Sequence, residues 1–451
     1  MPVAEEFMRV AIIGSGPAGF YAAEALLKRS DTVVHVDMFD RLPTPFGLVR
    51  GGVAPDHPRV KSITRAYEQT AARPTFRFLG NVCLGRDLSV DQLRRHYHQI
   101  VYAVGNEASR RLGIPGEGIT RCTPAAVFVG WYNGHPDYRD AKIDLSVSRV
   151  AVVGNGNVAV DVARVLLKAP DELGKTDIAG HALAALGNSR VREVFILGRR
   201  GPEQATFTPK EVAELGEIDG VDLVVDPSEL ADCPAFESLD NRQQQNLEIL
   251  RSFAARPAGT NTKKVHLRFF VSAREVVADA AGTVAAIALE QESHAAAADG
   301  TGKIERLDVG MVLPAIGYAA KRIEGVPFDE TALIVANEDG RVVDPRSRTV
   351  IANEYVVGWA RTGPRGLIGA HKGASAHVVE HMTADGAGLE TRALPEPDAL
   401  MSLLRQRGQQ IVSFDDWKQL DDVEQARGER RGAPRDKIVD VGAMLGILGS
   451  T

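Results

Sequence analysis

A strand-to-helix turn built on closely spaced glycines occurs twice in this chain, and that repetition narrows the fold to a small set of α/β architectures. Arg9-Val10-Ala11-Ile12-Ile13 is a short apolar run of the kind that forms a parallel strand covered on both faces. Gly14-Ser15-Gly16-Pro17-Ala18-Gly19 follows directly, and residues 20–27 then show helical spacing. Gly14 and Gly16 permit a tight turn, while the helix N-terminus presents amide N–H groups and positive dipole to a pyrophosphate. The next apolar run, residues 32–39, ends in Asp40. An acid about 20 residues beyond the last glycine can accept hydrogen bonds from ribose hydroxyls.

The second occurrence begins with Arg149-Val150-Ala151-Val152-Val153 and continues as Gly154-Asn155-Gly156-Asn157-Val158-Ala159. Ala159 stands in the third glycine position, which the pattern allows. The strand predicted after it, Val194-Phe195-Ile196-Leu197, ends in Gly198-Arg199-Arg200. Two arginines therefore sit where a site for NAD would place an acid. Guanidinium groups suit a 2′-phosphate, so the second loop reads as an NADP(H) site. The structural alternative is a solvated basic strand end. Two loops call for two dinucleotides, and the economical pairing is FAD in the first and NADP(H) in the second.

Composition removes several other classes. The 451 residues are 44% hydrophobic and 25% charged, an ordinary folded composition. Lys plus Arg number 53 against 59 Asp plus Glu, and a nucleic-acid binder normally tilts the other way. No apolar run approaches the length of a membrane span, and the first residues lack the apolar core of a signal peptide. A cytoplasmic enzyme, with nothing that demands more than a monomer, is the expectation. Cys83, Cys122 and Cys233 are scattered, which argues against a dithiol redox centre, a four-cysteine iron–sulfur cluster or a zinc site, and metal ligands are not expected.

The expected architecture is α/β, with two Rossmann-like dinucleotide-binding domains, the second inserted in a discontinuous first. The strand ending at Gly105 closes the first part and the strand ending at Gly317 closes the second. This divides the chain into an FAD-binding part, 1–107, an NADP-binding domain, 108–319, and a returning FAD-binding part, 320–451. In the last, Asn353-Glu354-Tyr355-Val356-Val357-Gly358-Trp359 reads as a buried strand before a glycine-rich turn, and Gly363-Pro364-Arg365-Gly366-Leu367-Ile368-Gly369 opens a helix toward Thr383. That helix start can supply amides and dipole to a flavin pyrimidine. Residues 295–302 read as a flexible hairpin tip, residues 240–254 as a polar helix with a solvated face, and the charge run 424–435 as exposed.

Longer motifs carry a family resemblance. The run from Asp40 through Pro43-Thr44-Pro45-Phe46-Gly47-Leu48-Val49-Arg50, then Gly52-Val53-Ala54-Pro55-Asp56-His57-Pro58, resembles adrenodoxin reductase and its bacterial ferredoxin–NADP⁺ reductase relatives. So do Phe128-Val129-Gly130-Trp131-Tyr132-Asn133, the second glycine loop, Gly198-Arg199-Arg200-Gly201-Pro202, the 363–368 turn and Val412-Ser413-Phe414-Asp415-Asp416-Trp417. The similarity spans essentially the whole chain and is nearest to the actinobacterial branch. It implies a flavoprotein in which NADPH reduces FAD and FAD passes single electrons to a small iron–sulfur protein. By the same resemblance, FAD contacts fall on Ala18, Asp40, Leu48, Leu84, Trp359, Gly366, Leu367 and Ile368. NADP contacts fall on Asn155, Gly156, Asn157, Val158, Arg199, Arg200, Glu211 and Gly366. His57 and Glu214 fall beside the flavin and nicotinamide as the candidate catalytic pair. The chain departs from the family at Asp40 (usually Glu), Leu84 (usually Val) and Thr206-Phe207-Thr208-Pro209. On residues alone, Thr208-Pro209-Lys210-Glu211 also fits a capping box.

The expected reaction needs no nucleophilic side chain, because the protein has only to align two rings and exclude water. An acidic ferredoxin calls for a local basic patch, and a cytochrome P450 is one candidate final acceptor. Two rival readings are an NADPH-dependent flavin monooxygenase, whose fingerprint is absent, and a non-enzymatic flavoprotein subunit, whose cysteine clusters are absent.

Overall fold

Val10, Ala11 and Ile12 are completely buried, and they place the strand Phe7–Ile13 inside a sheet rather than at its edge. The computed structural model describes residues 7–231, 233–257, 259–292, 302–389 and 394–449. Phe7–Ile13 pairs in parallel with Val33–Phe39 on one side and Gln99–Tyr102 on the other. Phe76–Leu79 extends the sheet beyond Val33–Phe39, and Val350–Val356 extends it beyond Gln99–Tyr102, again in parallel. Arg341–Val343 and Asn337–Glu338 complete seven strands as an antiparallel edge. Side chains alternate as the strand period requires: Val10 and Ile12 enter one core cluster, Ala11 and Ile13 the other. The strand Gln99–Tyr102 is thus interior, because chain that returns after residue 317 adds three strands outside it.

The second sheet is wholly parallel, in the order Met311–Pro314, Arg149–Val153, Glu193–Leu197, Lys263–Arg268, Val221–Val225. Helices cover the face carrying Val150, Val152, Val194 and Ile196. An antiparallel sheet of Val271–Ala278, Val284–Gln291 and Ile304–Asp308 covers the opposite face, where Ala151, Val153, Phe195 and Leu197 meet Val276, Ile287 and Leu289. The chain leaves the first sheet through Ala108–Ser109 and returns through Tyr318–Ala319, and these two segments pair antiparallel. The first α/β unit is therefore interrupted in sequence by the second.

Two expectations about surfaces meet the structure differently. The helix Asn241–Ala254 is capped by Asp240, but it buries Leu247, Leu250 and Phe253, and Asn246 donates to the Phe207 carbonyl at 3.0 Å. Only one side of it is solvated. The charge run 424–435 is not uniformly exposed either. Glu424 is fully buried and accepts from Arg50 Nη1 at 2.8 Å, Arg50 Nη2 at 2.5 Å and Ile438 N at 2.9 Å. Just beyond the run, Lys437 reaches Asp177 at 3.1 Å, which Lys61 also holds at 2.6 Å. Burial pushes the Lys437 ammonium down to about 7 against the pull of Asp177. Apolar and polar sequence give no hint of this, because the burial is created by partners hundreds of residues away. Residues 295–301 of the expected hairpin tip lie outside the described residues.

Candidate functional site: two glycine cradles and the charged seam between them

At the first loop, backbone crowding fixes glycine at two positions and leaves space at the third. Gly14 has φ +104°, and a Cβ there would stand 2.4 Å from the Ala103 carbonyl oxygen. A Cβ on Gly19 would stand 2.3 Å from the Gly14 oxygen, whereas around Gly16 nothing lies within 4 Å. The open side of Gly16 precedes the helix Pro17–Leu27, whose first N–H groups have no side-chain cap. That is a cradle for an anionic diphosphate. Asp40 leaves the next strand as expected, and its carboxylate accepts from Ser15 N at 3.0 Å, from Ser15 Oγ and from Leu42 N at 2.9 Å. Burial pushes the Asp40 carboxyl up while those bonds pull it down. Asp40 thus fixes the glycine loop itself, and a carboxylate with about four lone-pair sites retains capacity for a ribose hydroxyl.

The other residues implied as FAD contacts gather from distant segments. Leu48 opens the short helix Leu48–Gly51, and Leu84 is buried beyond the strand Phe76–Leu79. Gly358, at φ +68°, lets the chain pass so close to Ala18 that a Cβ would lie 2.5 Å from the Ala18 methyl. This contact brings Trp359 beside the first helix. Trp359 stacks on Tyr318 with ring centroids 5.9 Å apart, and its buried Nε1 finds no acceptor among the described residues. Gly366 has φ +85°, Leu367 is 62% exposed and Ile368 is half-buried, just ahead of the helix Ala370–Asp385. An orphaned indole N–H, an open glycine and a bare leucine along one seam fit a bound aromatic cofactor.

The second loop repeats the first with tighter cover. Gly154 has φ +132° and a Cβ there would meet the Ala315 oxygen at 2.4 Å. Gly156 caps the helix Asn157–Leu167 without a side-chain partner, and Thr206 Oγ1 stands 3.0 Å from where its Cβ would be. The Asn155 carbonyl accepts from Thr206 N at 3.0 Å and Phe207 N at 3.1 Å, so the 206–209 segment is laid over the loop. Val158 is half-buried in the first turn of that helix. Arg199 and Arg200 are exposed at the end of Glu193–Leu197, and neither side chain pairs among the described residues. Two guanidinium groups without side-chain partners among the described residues, beside a helix N-terminus with no side-chain cap, have the chemistry that an extra phosphate calls for.

The helix Pro209–Leu215 shows what Glu211 bonds. Thr208 Oγ1 accepts from Glu211 N at 3.4 Å, so half of a capping box forms. The return bond does not, because Asn157 Oδ1 already accepts from Thr208 N at 2.8 Å. The Glu211 carboxylate turns instead toward His57 Nε2, at 3.5 Å, and Arg164 Nη1, at 3.6 Å. Glu214, one turn on, lies 2.8 Å from His57 Nε2 and 3.2 Å from Arg164 Nη1. The two candidate catalytic residues therefore meet across the seam between the units.

Four residues of this cluster were not singled out from sequence. Arg164, 2% exposed, donates from Nε to Asp56 at 2.7 Å and from Nη2 to Asp161 at 2.7 Å, and Lys168 donates to Asp56 at 2.8 Å. Arg164 Nη2 also lies 2.6 Å from His57 Nε2. A guanidinium only donates, so Nε2 accepts from Arg164 when bare and donates to Glu214 when protonated, never both at once. Burial opposes ionisation of Asp56, but the Arg164 and Lys168 bonds outweigh it and hold that carboxyl well below the usual range. Burial pushes Asp161 up to about 6, with Arg164 opposing. The available signal was Arg164 itself, a lone charge inside the run Val162-Ala163-Arg164-Val165-Leu166-Leu167.

Fold and site together define a two-dinucleotide oxidoreductase, and the family model "Pyridine nucleotide-disulphide oxidoreductase" matches residues 8–197. All three cysteines are free, so the disulphide of that description has no counterpart here. The chain belongs to the adrenodoxin-reductase-type family of NADPH–ferredoxin reductases. It is 40% identical to the NADPH-ferredoxin reductase FprA of Mycobacterium leprae, over 97% of this chain and 98% of that one. It is 41% identical to the mitochondrial NADPH:adrenodoxin oxidoreductase of Arabidopsis thaliana, over 96% and 93% of the two. The solved structure of Mycobacterium tuberculosis FprA in complex with NADPH superposes with a TM-score of 0.92 at 39% identity, covering 98% of this chain and 99% of that one.

Proposed function

We propose that this protein is an FAD-dependent ferredoxin–NADP⁺ reductase, with the chain divided as 1–107 and 320–451 for FAD and 108–319 for NADP(H). The observation that carries the reading is the contrast between the two cradles. Each has the same glycine geometry, but the strand after the first ends in Asp40 and the strand after the second ends in Arg199 and Arg200, whose side chains have no partner among the described residues. When bound, FAD takes a hydride from NADPH and gives up electrons singly, which joins two-electron to one-electron chemistry.

The protein's own residues bind, orient and shield. Gly14, Gly16 and Ala18 would hold the FAD diphosphate, Asp40 the ribose, and Leu48, Leu84, Trp359, Leu367 and Ile368 would wall the flavin. Asn155, Gly156, Asn157 and Val158 would hold the NADP diphosphate and Arg199 and Arg200 its 2′-phosphate, and Gly366, without a side chain, would leave room for both cofactors. Glu211, Glu214 and Arg164 all gather around one ring nitrogen of His57, Nε2, so the imidazole is anchored at the seam through that atom. His57 and Glu214 act there as electrostatic and positioning groups. The acceptor docks where Arg59 and Arg65, which have no side-chain partner among the described residues, flank Ile368 and Gly369 in one exposed groove, a surface complementary to an acidic ferredoxin. Among the described residues no helix is long and apolar enough to cross a membrane. A monomeric cytoplasmic enzyme whose ferredoxin feeds a cytochrome P450 completes the reading.

Anaerobic stopped-flow bleaching of the FAD-loaded protein tests the cofactor assignment. NADPH should reduce the flavin far more efficiently than NADH, and a preference for NADH would overturn the placement of the 2′-phosphate.

A further inference from the structure

The tip of the Asn337–Glu338/Arg341–Val343 hairpin faces the middle of the helix Ala370–Asp385. His377 and His381 are four residues apart on that helix, so both imidazoles project from one face. Asp339 sits in the hairpin turn at φ +47°, a left-handed conformation that aspartate tolerates. His377 Nε2 and His381 Nε2 each lie 2.8 Å from the same carboxylate oxygen, Asp339 Oδ2. The imidazole ring centroids are 4.6 Å apart. We infer that Asp339, His377 and His381 form a surface site for a divalent transition-metal ion of the zinc class.

The geometry supports this in three ways. The three ligand atoms lie within 4.8 Å of one another, and they belong to a two-histidine, one-carboxylate set that suits zinc and its neighbours. At metal–ligand distances of about 2.0–2.2 Å, tetrahedral ligand atoms stand roughly 3.3–3.5 Å apart, so the present 2.8 Å contacts need open by only about half an ångström. The turn is also held in place before any ion arrives. Gly340 packs so closely on the helix that a Cβ would lie 2.5 Å from Val378, and Arg341 pairs with Asp385 at 2.7 Å. Arg361 bonds the other carboxylate oxygen of Asp339, leaving Oδ2 for the ion and fixing the carboxylate plane, as outer-shell groups do. Solvent fills the remaining coordination position, because Asp339 and His377 are exposed.

A second group with metal-ligand chemistry, His57, Asp161 and Glu211, lies in the seam. There Arg164 and Lys168 already neutralise the acids, so a cation is disfavoured.

Equilibrium dialysis of chelator-treated, FAD-loaded protein against zinc tests the inference. A single zinc ion per chain should be retained, with at least a tenfold loss of affinity in His377→Gln and in His381→Gln and none in Asp161→Asn. Cobalt substitution should give ligand-field bands at wavelengths beyond the flavin absorption that vanish in both histidine variants, while their NADPH-driven flavin reduction stays at the wild-type rate. Failure of the wild type to retain zinc, zinc binding that survives both histidine substitutions, or loss of binding in Asp161→Asn would overturn it.

Discussion

Replacing Arg164 by methionine tests whether the buried charges at the seam act as one unit. The guanidinium is 2% exposed and makes three bonds to acids: two to Asp56, at 2.7 and 3.1 Å, and one to Asp161, at 2.7 Å. Charge-assisted bonds are each worth about 1.5–3 kcal/mol, which gives a gross loss of roughly 4–9 kcal/mol. Two things reduce it. Lys168 still neutralises Asp56, and Asp161, already near 6, takes up a proton instead of remaining an orphaned anion. The net loss should fall at about 3–5 kcal/mol, the usual cost of removing one partner from a buried pair. Thermal unfolding of FAD-loaded protein at pH 7.5 should then show a midpoint lower by about 5 °C, since the unfolding entropy of a chain this long is roughly 1 kcal/mol/K. Adding Asp161→Asn to Arg164→Met should restore part of the loss, because it removes the acid left unpaired. A midpoint within about 2 °C of wild type, or additive losses in the double variant, would refute the reasoning.

Further outcomes follow from the same contacts. Asp161 titrates at about 6 in the folded protein against 3.8 as an ordinary aspartate, so the folded state binds the extra proton between those values. Its contribution to stability therefore falls by about 2 kcal/mol as pH rises from 4 to 6, and stability–pH curves of Asp161→Asn should lack that descent. Arg199→Ala and Arg200→Ala should each raise the KM for NADPH by about 10–100-fold and leave that for NADH unchanged, read from steady-state reduction of ferricyanide. Gly14→Ala should purify without FAD, because its Cβ would press on the Ala103 carbonyl at 2.4 Å at a φ of +104°, and the absorbance ratio of flavin to protein checks this. Arg59→Glu with Arg65→Glu should raise the KM for ferredoxin at least tenfold and flatten its salt dependence, with ferricyanide reduction unaltered.

How much of this was legible in the chain depends on how locally each feature is encoded. The two cradles are written in consecutive residues, strand then glycines then helix, so Gly14, Gly16, Asn155, Gly156 and the strand-end charges at Asp40 and Arg199–Arg200 could be read directly. The turn at residues 363–369 and its helix were readable for the same reason. The seam was legible only in part: the resemblance named His57, Glu211 and Glu214, but Asp56, Asp161 and Arg164 went unmarked, because the three segments that carry these residues are united only by tertiary folding. Glu211 shows the ambiguity most plainly. Its capping-box spacing is real, yet Asn157, fifty-one residues earlier than Thr208, takes the N–H that the box would have used. Glu424 misleads for a related reason: a charge run predicts solvent unless one knows that Arg50 will reach it.

The central claim is one-electron delivery to an iron–sulfur protein. NADPH-driven cytochrome c reduction by the FAD-loaded protein, with and without added ferredoxin, measures it most directly. The account predicts strong stimulation by ferredoxin, lost when Arg59 and Arg65 are reversed in charge. Rapid flavin reduction by NADPH with no stimulation by any of several ferredoxins would contradict it, and NADPH oxidation that responds to an organic substrate instead would place the protein among the flavin monooxygenases.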